Sequence, residues 1–266
     1  MNRIDQRFSD LKAAHKKGFV AYIAAGDPSL DRTLDIVLEL EKCGADIIEL
    51  GLPFSDPLAD GIVNQMAADR ALKAGATTAK VLDLIKAIRK VSQIPLVLFT
   101  YLNPIYTYGF EKFHEDASAA GADGVLVLDL PPDEASLNVE LPEGPALRHI
   151  RLIAPTTPEA RIKLIAQRAQ GFIYYVSREG VTGAQTSLAT GIQEQVALIQ
   201  SASPTPVAVG LGISTPDQAR TVATMADAVV VGSAIVKLVE KHGSSPDLAA
   251  KLREFVKPLV DAVKSV

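Results

Sequence analysis

Two carboxylic acids at the ends of one stiff connection are the residues best placed to do chemistry. Glu49 closes an apolar run, Ala45-Asp46-Ile47-Ile48, and Asp60 follows eleven positions later, with Pro53 and Pro57 between them. A carboxylate ending a buried strand is costly to desolvate unless it is paired, hydrogen-bonded or chemically employed. Two carboxyl groups on opposite walls of one pocket can divide the labour, one as general acid and the other as base or charge stabiliser. The same residues also fit a capped turn, with Ser55 and Asp56 bonded to the local backbone and Asp60 opening a helix. The elements around the loop decide between the two.

Short apolar, β-branched runs alternate with helix-period stretches eight times over. The strands expected are Phe19–Ala24, Ala45–Leu50, Pro95–Tyr101, Gly124–Asp129, His149–Ala154, Phe172–Val176, Pro206–Gly210 and Ala228–Val231. Their nearly continuous apolar character suits parallel strands covered on both faces. Amphipathic stretches at Leu30–Lys42, Thr78–Val91, Phe110–Ala120, Pro158–Ala169, Ile192–Ser201 and Thr215–Thr224 fill the gaps. Caps are expected at Asp27-Pro28-Ser29, Thr157-Pro158 and Ser214-Thr215-Pro216, and helix ends at Gly44, Gly121 and Gly171. Eight such units in this length describe an α/β fold, a single (β/α)8 TIM barrel spanning residues 1–266. An N-terminal covering helix, Asn2–Lys16, would close its bottom. A short extra helix, Ser233–Glu240, would follow strand eight, with a break at His242–Pro246 before a long last helix. An open doubly wound sheet would need a fingerprint turn after its first strand, and Ala25-Gly26-Asp27-Pro28 is not one.

Catalysis in such barrels sits at the C-terminal strand ends. Alternation puts Ile47 and Glu49 on one face, so Glu49 can point into the barrel mouth while Asp60 returns from the loop beyond. The later loops carry Gly180-Val181-Thr182-Gly183, Gly210-Leu211-Gly212-Ile213-Ser214 and Gly232-Ser233. With the split final helix they form the pattern of a phosphate cradle, in which free N–H groups and a helix dipole hold the dianion. No lysine lies within a strand core, so the amine of a Schiff-base aldolase is absent. His15, His114, His149 and His242 are scattered, whereas a metal-dependent aldolase or amidohydrolase would want histidines clustered at strand ends. Acid/base chemistry by carboxylates on a phosphorylated substrate remains. Tyr22, Phe54, Leu98, Leu126, Ile153, Tyr174 and Leu211 offer a lining for the mouth.

A net charge of −4 with no dense Lys/Arg run argues against nucleic acid and anionic membrane as partners. Cys43 is the one cysteine, which precludes an intrachain disulfide and suits a reducing cytosol. It reads as core filler in a helix. The start of the chain is polar, with no apolar stretch and small-residue cleavage site, and no apolar segment reaches membrane-spanning length. A cytoplasmic protein is expected.

At this point five segments resemble one family, the alpha subunit of tryptophan synthase. They are Ala25-Gly26-Asp27-Pro28, the block from Glu49 through Gly61, Tyr101-Leu102-Asn103-Pro104, Ser177 through Gly183, and Gly232-Ser233-Ala234-Ile235-Val236. The resemblance implies cofactor-free retro-aldol cleavage of indole-3-glycerol phosphate to indole and glyceraldehyde 3-phosphate. It assigns Glu49 the proton transfer and Asp60 the charge on the ring N–H. Thr182 would contact Asp60 on closure of the sixth loop, and Tyr174 would lie near the substrate. Gly183, Gly212, Gly232 and Ser233 would hold the phosphate, with Tyr22, Ile153 and Leu211 flanking the indole. A beta subunit carrying pyridoxal phosphate would dock around Pro53, Asp56 and Pro104 in an alpha2beta2 tetramer, leaving no cofactor or metal on this chain.

One departure stands out. After Asp60-Gly61 the family usually reads proline, a β-branched residue, an apolar residue and glutamine, where this chain has Ile62-Val63-Asn64-Gln65. Losing the proline should loosen the start of the helix there. A stand-alone lyase releasing free indole, a non-catalytic activator of a beta partner and a phosphosugar isomerase are the competing readings.

Overall fold

The apolar runs fold into eight parallel strands, seen in a computed structural model that describes residues 1–131, 147–176, 185–210 and 212–266. The strands are β1 (Gly18–Ala24), β2 (Ile47–Gly51), β3 (Leu96–Thr100), β4 (Gly124–Val127), β5 (Arg148–Ile153), β6 (Ile173–Val176), β7 (Val207–Gly210) and β8 (Ala228–Val231). Each pairs with the next, and β8 returns to β1, so no sheet edge is left open. The helices among the described residues are α1 (Arg3–Ala13), α2 (Leu30–Cys43), α3 (Ile62–Lys73), α4 (Thr78–Arg89), α5 (Leu102–Tyr108), α6 (Phe110–Ala120), α7 (Glu159–Arg168), α8 (Gln185–Ala202), α9 (Pro216–Ala223), α10 (Ser233–His242) and α11 (Leu248–Lys264). None of them is long and apolar enough to cross a membrane.

Strand alternation sorts the side chains into two layers. Val20, Ile47, Val97, Leu126, Ile150, Phe172 and Ala208 point inward and meet Ile4, Phe8 and Leu11 of α1, which plugs the barrel bottom as expected. The odd partners, such as Phe19, Ile48, Leu98 and Val209, face the helices. Cys43 is buried in that outer layer as filler.

The bottom rim is held by three aspartates that each precede a strand. Asp46, Asp123 and Asp227 accept an N–H at the start of the neighbouring strand, from Phe19, Leu96 and Val207 at 2.6, 2.8 and 2.9 Å. Those amides would otherwise end the ladder unpaired. Asp123, 2% exposed, also receives Arg3 at 2.8 Å and Arg89 at 2.6 Å, tying α1 and α4 to β4.

Several local expectations hold, and some do not. Ser29 caps α2, and Thr215 forms a reciprocal capping box with Gln218. Gly44 and Gly121 end their helices in the left-handed region at φ +98° and +97°. Gly171 leads into β6, but α7 ends at Ala169 in an extended conformation. Thr157 accepts from the Ala154 N–H in a turn instead of capping α7. Two helices escape the sequence pattern. On α3 only Ala67 and Ala71 are buried, while Ile62 and Met66 face solvent, so no apolar stripe announces it. The other, α5, is seven residues long and contains Pro104.

Replacing Asp123 with alanine strips two guanidinium groups and one strand N–H of their acceptor. Urea unfolding is expected to show a loss of about 3–5 kcal/mol, while KM for the substrate stays unchanged, because the site is at the opposite end of the barrel.

Candidate active site

At the barrel mouth the register places Glu49 between Tyr22 of β1 and Val97 of β3. Its parity with Ile47 points it inward, so the capped-turn reading fails for this residue. It is fully buried, and neither carboxyl oxygen has a hydrogen-bond partner among the described residues. Removal from water pushes its pKa from the ordinary 4.5 up to about 8. A neutral carboxylic acid at physiological pH, enclosed by apolar walls, is a proton donor waiting for an acceptor.

Asp60 is held quite differently. It does not cap α3, whose N-cap position is Gly61 with no side-chain bond. Instead its Oδ2 accepts the Tyr101 hydroxyl at 2.8 Å, and its Oδ1 accepts Asn64 Nδ2 at 3.3 Å. The Tyr101 oxygen in turn accepts the Ala59 N–H at 3.0 Å, and Gln65 Nε2 donates to the Asp60 carbonyl at 2.9 Å. Burial raises the Asp60 pKa, and the two side-chain donors offset part of that rise. Two acids at one mouth thus meet opposite treatment, one left bare and the other supplied with donors.

The wall between them is aromatic. Tyr22 meets Phe99 edge-on with centroids 5.0 Å apart, and Phe99 meets Tyr174 at 6.4 Å. Both tyrosines stay neutral, their pKa values raised chiefly by burial and further by the neighbouring carboxyl groups of Asp60 and Glu49. The rings lie over bare backbone. A Cβ on Gly51 would sit 2.3 Å from the Tyr22 hydroxyl oxygen, and one on Gly210 would sit 2.6 Å from that of Tyr174.

Two expected lining residues belong to the other face. Ile150 is inward, so Ile153, three residues on, points outward and packs in the helix layer. Leu152, paired with Tyr174, has the inward parity. Likewise Leu98 faces outward and Phe99 inward. A slip of one residue along a strand exchanges the faces. Counting parity from Glu49 through its partner Val97 finds Phe99 and Tyr101. Leu126 is inward but lies in the cluster that meets α1, below the mouth. Phe54 joins the rim through Tyr101, with centroids 5.4 Å apart.

The other end of the site is the start of α10. Its N-cap, Gly232, makes no side-chain cap bond, and the helix opens with Ser233 beside it. A Cβ at Gly232 would lie 3.3 Å from the Tyr22 Cβ, so this helix start borders the aromatic wall. Gly212 has φ +65° and open space at its Cβ position. Ser214 and Thr215, however, spend their N–H groups on Gln218 Oε1, so the cradle is limited to the turn before them. Thr182, Gly183 and Leu211 lie outside the described residues. Pro53 and Asp56 lie on the loop after β2, with Asp56 exposed, and Pro104 lies in α5 just after β3. Around them stand large apolar side chains in water: Leu58 is 88% exposed, Ile62 68% and Tyr106 75%. Among the described residues, no group of His, Cys, Asp and Glu is arranged to hold a metal.

The chain is similar to known proteins throughout its length. The family model described as "Tryptophan synthase alpha chain" matches residues 8–264. The tryptophan synthase alpha chain of Geobacter sulfurreducens is 48% identical over 99% of this chain and 99% of its own. That of Geotalea uraniireducens is 48% identical over 100% and 99%. Among solved structures, tryptophan synthase subunit alpha from Legionella pneumophila str. Paris superposes with a TM-score of 0.91 at 38% identity, covering 100% of both chains. A chain of M. tuberculosis tryptophan synthase in its aminoacrylate-bound form gives 0.87 at 30% identity, covering 99% of this chain and 100% of that one.

The bare carboxyl makes a stability prediction. With the folded pKa raised to about 8, neutral Glu49 contributes stability that is fully present below pH 4.5 and fades as pH rises through 8. Glu49→Leu should therefore gain on wild type across that window, by an amount on the order of 3–5 kcal/mol at its upper end. Urea denaturation at pH 4.5, 6 and 8 measures it; a pH-independent difference would mean that the carboxyl finds water or a partner.

Proposed function

The chain belongs to the tryptophan synthase alpha chain family, and we propose that its buried neutral Glu49 is the acid/base of the family's reaction, cleavage of indole-3-glycerol phosphate. The observation that carries this reading is Glu49 itself, an inward-facing acid with both oxygens unpaired among the described residues and a pKa raised to about 8. An indole ring leaves as carbon only if its C3 is first protonated. Glu49 delivers that proton, and the ring nitrogen becomes positively charged. Ionised Asp60 faces the ring N–H and stabilises this charge. The Glu49 carboxylate then takes the proton of the hydroxyl on the adjoining side-chain carbon. That carbon becomes the aldehyde of glyceraldehyde 3-phosphate, the electrons of the broken carbon–carbon bond return to the ring, and Glu49 ends as it began. No cofactor is needed for this balance.

The aromatic wall of Tyr22, Phe99 and Tyr174, with Leu152, suits the flat indole. The N-terminus of α10, through Gly232 and Ser233 with Gly212 opposite, suits the phosphate. Thr182 closing on Asp60, Gly183 at the phosphate and Leu211 at the indole complete the site in this proposal. Family membership implies a beta-subunit partner. The surface proposed for it lies around Pro53, Asp56 and Pro104, where Leu58, Ile62 and Tyr106 hold apolar area in water. That exposure favours an alpha2beta2 assembly over a stand-alone lyase. Pyridoxal phosphate is assigned to the partner, and the cytoplasm is the expected location. A non-catalytic activator would have no use for a bare buried acid.

Two measurements test the site. Glu49→Gln should lower kcat for indole formation by about 10²–10⁴ while leaving KM within a few-fold, since the amide keeps the shape and cannot release the proton. In the wild type, the rate should fall as pH rises through about 8, where Glu49 loses its proton; turnover near wild type in the variant sinks the assignment. Ser233→Asp should raise KM at least about tenfold, roughly 1.4 kcal/mol, by setting a like charge against the phosphate. An unchanged KM would place the phosphate elsewhere.

A further inference from the structure

Asn64 stands in the first turn of α3, four residues after Asp60. Its Nδ2 donates to Asp60 Oδ1 at 3.3 Å, on the side of the carboxylate away from the Tyr101 hydroxyl. Its own Oδ1 is buried and has no partner among the described residues. Reversing the amide would set a carbonyl oxygen against a carboxylate, so the orientation follows from the contact itself. An unpaired buried amide oxygen is a standing cost, and a leucine of similar size would avoid it. The cost points to a task for the other end of the amide.

We propose that Asn64 is a positioning residue: with Tyr101 it forms a two-sided clamp that fixes the Asp60 carboxylate and keeps it ionised inside the pocket. Tyr101 reaches Oδ2 from the end of β3 and is itself anchored by the Ala59 N–H at 3.0 Å. Asn64 reaches Oδ1 from α3. A carboxylate with donors on both oxygens cannot rotate without losing one, and each bond favours the charged form. The other titratable groups felt here are Tyr22 on β1, Glu49 on β2 and Tyr174 on β6. Burial holds all three neutral through the acidic range. Among the described residues, Asp60 is thus the carboxyl of this cluster whose charge the two donors favour. The inference rests on the role given to Asp60 above.

The test is Asn64→Leu, read in two ways. First, the carboxyl carbon of Asp60 is titrated by ¹³C NMR in the unliganded protein, with Asp60→Asn supplying the assignment. Second, the acid limb of kcat/KM for indole formation is followed. Removing the donor should move both midpoints upward by about half a unit or more, with the pH-independent plateau of kcat/KM lowered several-fold. Tyr101→Phe should act in the same direction, and the double variant should depart from additivity, since both residues act on one carboxylate. If the leucine variant fails to fold, Asn64→Ala gives the same readout. An Asp60 titration unmoved by the loss of Asn64 overturns the clamp, even where thermal stability falls. Activity retained by Asp60→Asn would instead overturn the role of Asp60, while the NMR midpoint still judges the clamp.

Discussion

The whole mouth of this barrel is organised around one carboxyl group kept from water without compensation. Among the described residues Glu49 has no donor on either oxygen, and its burial is complete. In a flexible site such a group would find solvent or swing to a partner. It stays bare because the closed sheet fixes its strand on both sides and because Tyr22 and Val97 flank it in register. A barrel is suited to this demand. Each strand of the closed sheet is bonded on both edges, so the segment carrying Glu49 is held from two sides.

The neighbouring acid shows the opposite solution, and the two are linked through α3. At its first turn that helix donates Asn64 to Asp60. Two turns later Arg70 makes a bidentate pair with buried Asp27, at 2.9 and 2.8 Å, and reaches Glu240 on α10 at 2.9 Å. Ala67 of α3 packs in one cluster with Tyr22 and with Val236 of α10. A single helix therefore joins the acid end of the site, the connection after β1 and the helix proposed to hold the phosphate. A displacement of the loop after β2 cannot be confined to that loop.

Much of this was legible in the chain itself. The eight strands and the plug helix follow from apolar runs, and these were long and regular enough to leave little choice. Glu49 and Asp60 stood out because charge at the end of an apolar run is rare. The errors also have a physical source. Ile153 and Leu98 lie one residue off the inward face, which the sequence does not reveal because near-continuous apolar strands carry no alternation to fix their parity. Helix α3 carries no amphipathic signature because its apolar residues Ile62 and Met66 face outward, where the proposed partner would cover them. Asn64 gave no sign beyond its departure from the family pattern. Its bond to Asp60 spans one helical turn, and its meaning depends on Tyr101, 37 positions further along, reaching the same carboxylate.

The bare backbone beneath the two tyrosines sets a direction for change. Because any side chain on Gly51 or Gly210 would run into a phenol oxygen, the cavity cannot be narrowed from below by a single mutation without first losing an aromatic ring. Trimming Tyr22 or Tyr174 meets no such obstacle. Filling this mouth from the strand side therefore takes two changes in a fixed order: a smaller residue at Tyr22 or Tyr174 first, and only then a side chain at Gly51 or Gly210.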